Sequence, residues 1–172
     1  ILHAKSLGYK IKLLSISELK KGKLMERVHP CLVKNYSYIA NINGVLNAVI
    51  VDGSPVGRTG IQGEGAGPGP TTSALISDLC SILRGNIKYP FGVSSTIRKK
   101  IAKFNIANHV SSSYLRVEVK DQPGVLSSIT KIFARNKISI KNLIQNPDKK
   151  NKKASIIIIT HENLERNYNN LL

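Results

Sequence analysis

The chain has 172 residues, a formal net charge of +16 and 41% hydrophobic residues. This hydrophobic content is enough for a packed core, so a wholly disordered chain is excluded. The longest apolar run, Ile156 to Ile159, is far shorter than the roughly 18 residues of a membrane-spanning helix, so no membrane partner is predicted.

The positive charge is spread along the chain. It comes from 19 lysines and only 7 arginines, and residues 1–112 already hold 15 of these 26 basic groups. Arginine is the residue that contacts bases and phosphates in a bidentate manner, and the 5% aromatic content supplies few stacking surfaces. The sequence therefore favours a solvated lysine-rich surface and predicts no nucleic-acid partner, with a basic nucleic-acid binder as a remote alternative.

The cysteines and histidines are too scattered to form an obvious site. Cys31 and Cys80 form no C-x-x-C motif, which favours a reducing cytoplasm over a disulfide scaffold, and neither has a histidine at a recognisable spacing. The four histidines cannot place two ligands on one face, so no metal site is predicted. His29, beside Pro30, is more typical of a packed strand residue than of a general base.

In chain order, the first half predicts mainly extended structure. A clipped helix precedes four strands, predicted at residues 9–16, 25–33, 45–52 and 56–62, and the last two form an antiparallel hairpin. Residues 63–70 contain four glycines and two prolines and predict a sharp loop that is neither helix nor strand. Thr71 to Ser73 then provide N-cap hydroxyls for a helix that ends at Gly85.

The second half predicts a separate module after a mixed stretch at 86–112, with a boundary near 112. The predicted order is strand 113–120, helix 123–136 with Pro123 as its first residue, strand 138–145, polar loop 146–153, strand 154–160 and a helix start. This β-α-β-β-α order is a ferredoxin-like sandwich without its last strand. The fold class is therefore α+β, and Ile156 to Ile159 predicts a strand buried on both faces or packed against another subunit.

Two turns could bind ligands. Glycines at 63–69 before a helix N-terminus can bring backbone close to an anion, but the Rossmann and P-loop patterns are absent, and a purely structural corner explains the loop equally well. The turn at 121–126 can receive the carboxylate of a small ligand, or can simply cap its helix. Carboxylates near the glycine loop are only Asp52, Glu64 and Asp78, so any acid–base machinery is expected outside this chain.

Several motifs resemble known families in the same order along the chain. Residues 1–112 resemble the C-terminal part of the homoserine dehydrogenase catalytic region, and residues 113–172 resemble the ACT regulatory domain. The first resemblance rests on residues 7–14, Arg27 to Pro30, Asn43 to Val49, and Gly63 to Ala74 with Asp78 and Leu79. The second rests on Arg116, Asp121 to Leu126, Ile138 to Ile140, Gln145, and Thr160 with His161.

The first resemblance implies an oxidoreductase that interconverts aspartate semialdehyde and homoserine with NADP or NAD, on the route to threonine, methionine and isoleucine. The nucleotide domain and the catalytic residues would then precede Ile1, so the chain is not expected to be active alone. Gly65, Ala66 and Gly67 would approach the nicotinamide half of the cofactor. A segment in which many relatives carry a histidine reads Ser37 to Ala40 here, so any role of that histidine is not transferred.

The second resemblance implies an amino-acid effector, with threonine expected, bound between paired modules of a homo-oligomer. The residues expected to contact it are Asp121, Gln122, Gly124, Val125, Leu126 and Asn142. An amino-acid-sensing module without catalysis is the alternative, and the Gly65 to Gly67 motif argues against it because a pure sensor does not need that motif.

Overall fold

The computed structural model describes residues 1–86, 89, 92–148, 150–169 and 171. The described chain is α+β, with antiparallel sheets and few helices, as predicted. It divides into two compact units, one of residues 1–14 and 29–100 and the other of residues 15–28 and 101–172. None of the helices in the described residues is long and apolar enough to cross a bilayer.

A long hairpin follows the short first helix, and its strands contribute to both units. Helix α1 spans Leu2–Ser6, and strands β1 (Tyr9–Lys20) and β2 (Lys23–Lys34) pair in a two-stranded sheet. Both strands are longer than predicted because the turn between them is only Lys21 and Gly22, both with positive φ. Two such residues form the tight turn that matches the twist of paired strands.

The predicted second hairpin is confirmed in the first unit. Strands β3 (Leu46–Gly53) and β4 (Gly57–Glu64) are antiparallel over their whole length. Helix α2 (Pro68–Leu83) follows after three residues.

The predicted loop at 63–70 is therefore wrong at both ends. Gly63 pairs with Asn47 as part of β4, and Pro68 is the first residue of α2, because proline's fixed φ suits the first helical turn. The predicted caps at Thr71 to Ser73 are also wrong, since Gly67 is the N-cap of α2.

The second unit holds the predicted module. Its sheet consists of β6 (Tyr114–Lys120), β8 (Lys153–Thr160) and β7 (Ile140–Asp148) in that spatial order, and helix α3 (Val125–Arg135) connects β6 to β7. The central β8 is antiparallel to both neighbours. Two short strands, β5 (Val110–Ser111) and β9 (Asn163–Leu164), pair separately.

Three details of the predicted module are wrong. Pro123 is not helical, because Gly124 takes a left-handed conformation and is itself the N-cap of α3. The predicted final helix is, within the described residues, the strand β9 and one 3-10 turn at Glu165–Asn167. The predicted loop at 146–153 is shorter, since β7 continues to Asp148. Residues 87, 88, 90 and 91 of the predicted mixed stretch, and Lys149 of that loop, lie outside the described residues.

The core of the second unit forms between α3 and one face of its sheet. Phe133, Ile138, Ile156 and Ile158 are buried there, and partly buried apolar side chains surround them. Ile157 and Ile159 point to the opposite face and are only 1% and 6% exposed within the single chain. Strand β8 is therefore buried on both faces, which is the first of the two predicted alternatives.

Candidate functional site

The glycine turn between β4 and α2 brings Gly65, Ala66 and Gly67 to the surface of the first unit. The N–H of Gly65 donates to the carbonyl of Val45, 3.0 Å away, so the turn is fixed at the end of the β3–β4 hairpin. Gly67 has φ +124 and ψ 157, a conformation that side-chain-bearing residues rarely adopt. All three residues are exposed, so backbone is available to a ligand here.

The two glycines are required for different reasons. A Cβ on Gly65 would lie 1.4 Å from the Asn47 side-chain nitrogen, so that amide would have to move. A Cβ on Gly67 would meet only Pro70, at an ordinary 3.6 Å, so its requirement for glycine is one of backbone conformation. Gly65 is thus required because the backbone lies close to Asn47, and Gly67 is required because of its unusual conformation.

The helix that follows offers few hydrogen-bond donors to an anion. Of the first three residues of α2, Pro68 and Pro70 have no N–H, so only Gly69 can present one. No side chain caps this helix. The turn therefore lacks the row of amides that cradles a phosphate, and what it offers to a ligand is accessible backbone.

The carboxylates expected near this turn do not form a catalytic pair. Asp52 is not near it, because Leu46 pairs with Glu64 beside the turn while Asp52 pairs with Arg58 at the opposite end of the β3–β4 hairpin. There Arg58 donates from Nε and Nη2 to both oxygens of Asp52, at 2.7 and 2.8 Å, and lowers the pKa of that carboxyl below its usual value. Glu64 and Asp78 are exposed. Among the described residues, no group of three or more His, Cys, Asp or Glu side chains could hold a metal ion.

The second candidate site is the turn between β6 and α3. Gly124 has φ +88, which only glycine adopts readily, and its carbonyl accepts the first backbone bond of α3, from Ser128 at 3.0 Å. The N–H of Asp121 donates to the carbonyl of Lys152, 3.0 Å away. The turn is therefore fixed to the β7–β8 loop on one side and to the helix on the other.

A pocket of about 400 Å³ opens over this turn. Five of the six predicted effector residues line it: Asp121, Gln122, Gly124, Val125 and Leu126. Asn142 does not line this pocket; it lies exposed on β7, opposite Ile159, next to a shift in register. The wall on the β7 side is provided instead by Gln145.

Gln145 holds the one carboxylate that lines this pocket. Its Nε2 donates to Asp121 Oδ1 at 3.2 Å across 24 positions of sequence. The residue was part of the ACT-like pattern but not of the predicted site, and only the pairing of β7 with β8 brings it there, opposite Ile156.

A second pocket, of about 490 Å³, adjoins the first and shares Lys120, Asp121 and Gln122 with it. Its other lining comes from the β7–β8 loop and the two residues that flank it, and includes Lys152 and Lys153. Asn151 hydrogen-bonds Asp148 there and lowers the pKa of that carboxyl. The two pockets together therefore surround the turn with both negatively and positively charged side chains.

One contact corrects the sequence analysis. Cys31 Sγ lies 3.3 Å from Nε2 of His29, so one cysteine does have a histidine partner. The two residues are separated by two positions on β2 and therefore face the same side of the strand. The period of an extended strand was the signal that could have found this pair.

Comparison with known proteins identifies the two segments. Residues 1–80 match the homoserine dehydrogenase family model and residues 113–172 match the ACT domain model. The homoserine dehydrogenase of Neisseria gonorrhoeae is 38% identical over 96% of this chain and 40% of its own length, and that of Helicobacter pylori is 37% identical over 98% and 40%.

Solved structures agree with these matches. The crystal structure of a homoserine dehydrogenase from Thiobacillus denitrificans superposes with a TM-score of 0.83, at 35% identity, over 98% of this chain and 39% of that protein. The Staphylococcus aureus homoserine dehydrogenase at pH 7.0 gives a TM-score of 0.58 at 26% identity, over 95% and 39%. The chain spans about 40% of the length of the curated relatives it matches.

The chain therefore carries part of a homoserine dehydrogenase domain followed by an ACT domain, and the resemblance stated from the sequence is confirmed.

Proposed function

We propose that this chain carries the C-terminal part of the catalytic region and the ACT domain of a cytoplasmic homoserine dehydrogenase, which interconverts aspartate semialdehyde and homoserine with NADP or NAD. The observation that carries the proposal is the glycine turn at Gly65 to Gly67, inside the segment that matches the homoserine dehydrogenase family. The described residues contain no catalytic pair at this turn, so the groups that bind the substrate and move its proton are assigned to the rest of the protein.

The geometry of the turn suits the nicotinamide end of the cofactor. A bound nicotinamide supplies or accepts the hydride of this reaction. The ring is flat and needs close backbone, which Gly65, Ala66 and Gly67 offer. The two prolines at the start of α2 remove amide donors that a phosphate would need, which argues against the pyrophosphate lying here. In this role the chain positions the ring and does no acid–base chemistry.

Helix α2 has an apolar surface that suits packing against the rest of such an enzyme. None of its residues is buried. The apolar side chains that are more than half exposed are Leu75, Ile76, Leu79, Ile82 and Leu83. A surface of this kind marks an interface. We assign α2 to packing against the nucleotide-binding part of the enzyme, and the β1–β2 and β3–β4 sheets to a homo-oligomer contact.

The ACT domain is proposed to bind an amino acid, threonine first, in the pocket over the β6–α3 turn. The Asp121 carboxylate, held by Gln145, can accept the ligand's ammonium group. The N–H groups around Gly124 and the N-terminus of α3 can receive its carboxylate. Asn142 would reach the ligand from a paired module. The binding would regulate catalysis only if it favoured one arrangement of the enzyme over another.

The test uses the protein extended to its own natural termini. NADPH and NADH oxidation are followed with aspartate semialdehyde, with and without threonine, and threonine binding is measured separately by calorimetry. Gly67→Val removes the required conformation and adds bulk, so we expect turnover to collapse. Gly69→Ala is the matched control, because Gly69 has ordinary helical geometry and open space, and we expect it to retain activity.

The outcomes separate the candidate functions. Semialdehyde-dependent turnover that is lost in Gly67→Val and kept in Gly69→Ala supports the dehydrogenase. Threonine binding without any turnover of the semialdehyde refutes it and favours a sensor module instead. The pocket over the β6–α3 turn is the observation that makes the sensor the second candidate.

A further inference from the structure

The tip of the β1–β2 hairpin belongs to the same compact unit as the ACT domain. Residues 15–28 cluster with residues 101–172, whereas the remainder of both strands clusters with the first unit. Strands β1 and β2 are continuous through this division. The tip is therefore a part of the homoserine dehydrogenase segment that packs with the ACT domain, and its two strands continue into the rest of that segment.

Backbone hydrogen bonds hold the tip to the segment before the ACT domain. The N–H of Leu24 donates to the carbonyl of Ala102 at 2.9 Å, and the N–H of Phe104 donates to the carbonyl of Leu24 at 2.8 Å. They form a short parallel bridge between Leu24 and Lys103. Next to it, Met25 is 2% exposed. The tip is thus packed as well as hydrogen-bonded within this unit.

A group of charged side chains surrounds this bridge. Lys20 Nζ lies 3.0 Å from His109 Nδ1, 3.1 Å from a Glu18 carboxylate oxygen and 5.9 Å from the centre of the Phe104 ring. Arg27 Nη1 lies 3.6 Å from Glu165 Oε2, and both side chains are largely buried, at 21% and 31% exposure. Lys20 and Arg27 come from the two strands of the hairpin, so each strand has its own contact.

Glu165 connects these contacts to the ACT domain. Its N–H donates to the carbonyl of His109 at 2.8 Å, while its side chain meets Arg27. It opens the 3-10 turn that follows β9, and Tyr168 after that turn places its hydroxyl 2.7 Å from Thr160 Oγ1, at the end of β8. Ile156, four residues earlier on β8, lines the effector pocket. Tyr168 also packs against the buried core that contains Ile156, so contacts within this unit link that pocket to the hairpin tip.

We infer that the hairpin tip is the element through which the ACT domain acts on the dehydrogenase segment, with Glu165 and His109 as the residues that position Arg27 and Lys20. The inference rests on the proposed function, since it describes how that enzyme is regulated. In this mechanism the enzyme has an active and an inhibited arrangement, and effector binding changes activity through these contacts only if their free energy differs between the two. Glu165 touches neither pocket, so it is a positioning residue.

The test compares two glutamates in the full-length enzyme. Glu165→Gln removes the charge that meets Arg27, and Glu162→Gln is the matched control, because Glu162 is exposed three residues earlier and no ion pair joins it to the described residues. For each protein, threonine affinity, uninhibited kcat and the fold inhibition by saturating threonine are measured. Loss of one partly exposed ion pair changes a coupled equilibrium by up to about fivefold.

We expect Glu165→Gln to keep threonine affinity and uninhibited kcat and to lose up to about fivefold of its inhibition. A merely structural role would not lower the inhibition while threonine affinity and uninhibited kcat stay unchanged. The charge-exchanged double variant Arg27→Glu with Glu165→Arg should recover the inhibition, which assigns the effect to the ion pair itself. The inference is overturned if Glu165→Gln is inhibited as strongly as Glu162→Gln.

Hydrogen exchange separates this inference from the proposed function because it needs no effector. Amides of residues 15–28 should exchange faster in Glu165→Gln than in Glu162→Gln, and equal exchange overturns the inference even in an enzyme that binds threonine. An unsubstituted enzyme that neither binds threonine nor turns over the semialdehyde refutes the proposed function, and faster exchange at the tip would still support the contact described here.

Discussion

Burial of β8 on both faces leads to a quantitative prediction for two neighbouring isoleucines. Ile158 is 0% exposed and packs in the α3 core, whereas Ile157 is 1% exposed and points to the other face. Replacing either by alanine removes three carbon atoms, which at about 0.8 kcal/mol each is about 2.4 kcal/mol of transfer free energy. The cavity that remains brings the loss of unfolding free energy to about 3 kcal/mol, within the roughly 2–5 kcal/mol typical of such changes.

The assay is native-state hydrogen exchange of the β8 amides, since core strands exchange only by large-scale unfolding. Ile132→Ala is the matched control, because Ile132 lies on α3 with 44% exposure and should cost less than half as much. The result that would refute the argument is a cost for Ile157→Ala near that of the control. A cost that changed with protein concentration would equally refute it, because burial would then come from another subunit.

Two further predictions concern a turn and a titration. Gly124→Ala should lower the unfolding free energy by about 1–2 kcal/mol, through backbone conformation alone because the added Cβ meets no atom within 4 Å, and Gly124→Asn should lose less, as measured by urea denaturation. Burial, with the Lys20 ammonium next, lowers the pKa of His109, so the unfolded chain binds the proton more readily. Stability should therefore fall as the pH drops below the ordinary histidine value of about 6.5, and the urea midpoint of His109→Asn should lose this dependence.

Much of the fold could be predicted because its signals are local. The extended stretches of the first half predict β1 to β4, although β1 ends four residues later than predicted, and the run at Ile156 to Ile159 predicts β8 within one residue. The start of α2 is not predicted, because Pro68 and Pro70 normally indicate the absence of a helix although proline is tolerated in a first turn. Pro123 shows the opposite error, because it is predicted to be the first helical residue but the left-handed Gly124 separates it from α3.

The candidate sites also differ in whether local or distant residues build them. The turn at 121–126 could be read from sequence because consecutive residues build it. The contact of Lys20 with His109 spans 89 positions and has no local signal at all, since it depends on the docking of the hairpin tip. The hydrogen bond of Gln145 to Asp121 depends on the register of β7, which a sequence pattern leaves free to shift by a residue.

The two units differ in what stabilises them, and the difference follows from where the apolar side chains lie. In the second unit α3 contributes Phe133 to a closed core, so its helix is held by packing within the chain. In the first unit α2 leaves five large apolar side chains more than half exposed, and a 16-residue helix without such packing is marginal in water. Burying the part of those five that is still exposed would contribute roughly 1–2 kcal/mol each, a sum within the range of the stability of a whole domain. The ordered glycine turn at the N-terminus of α2 thus depends on a surface that covers this helix, so in the proposed enzyme assembly would be coupled to formation of the proposed cofactor site.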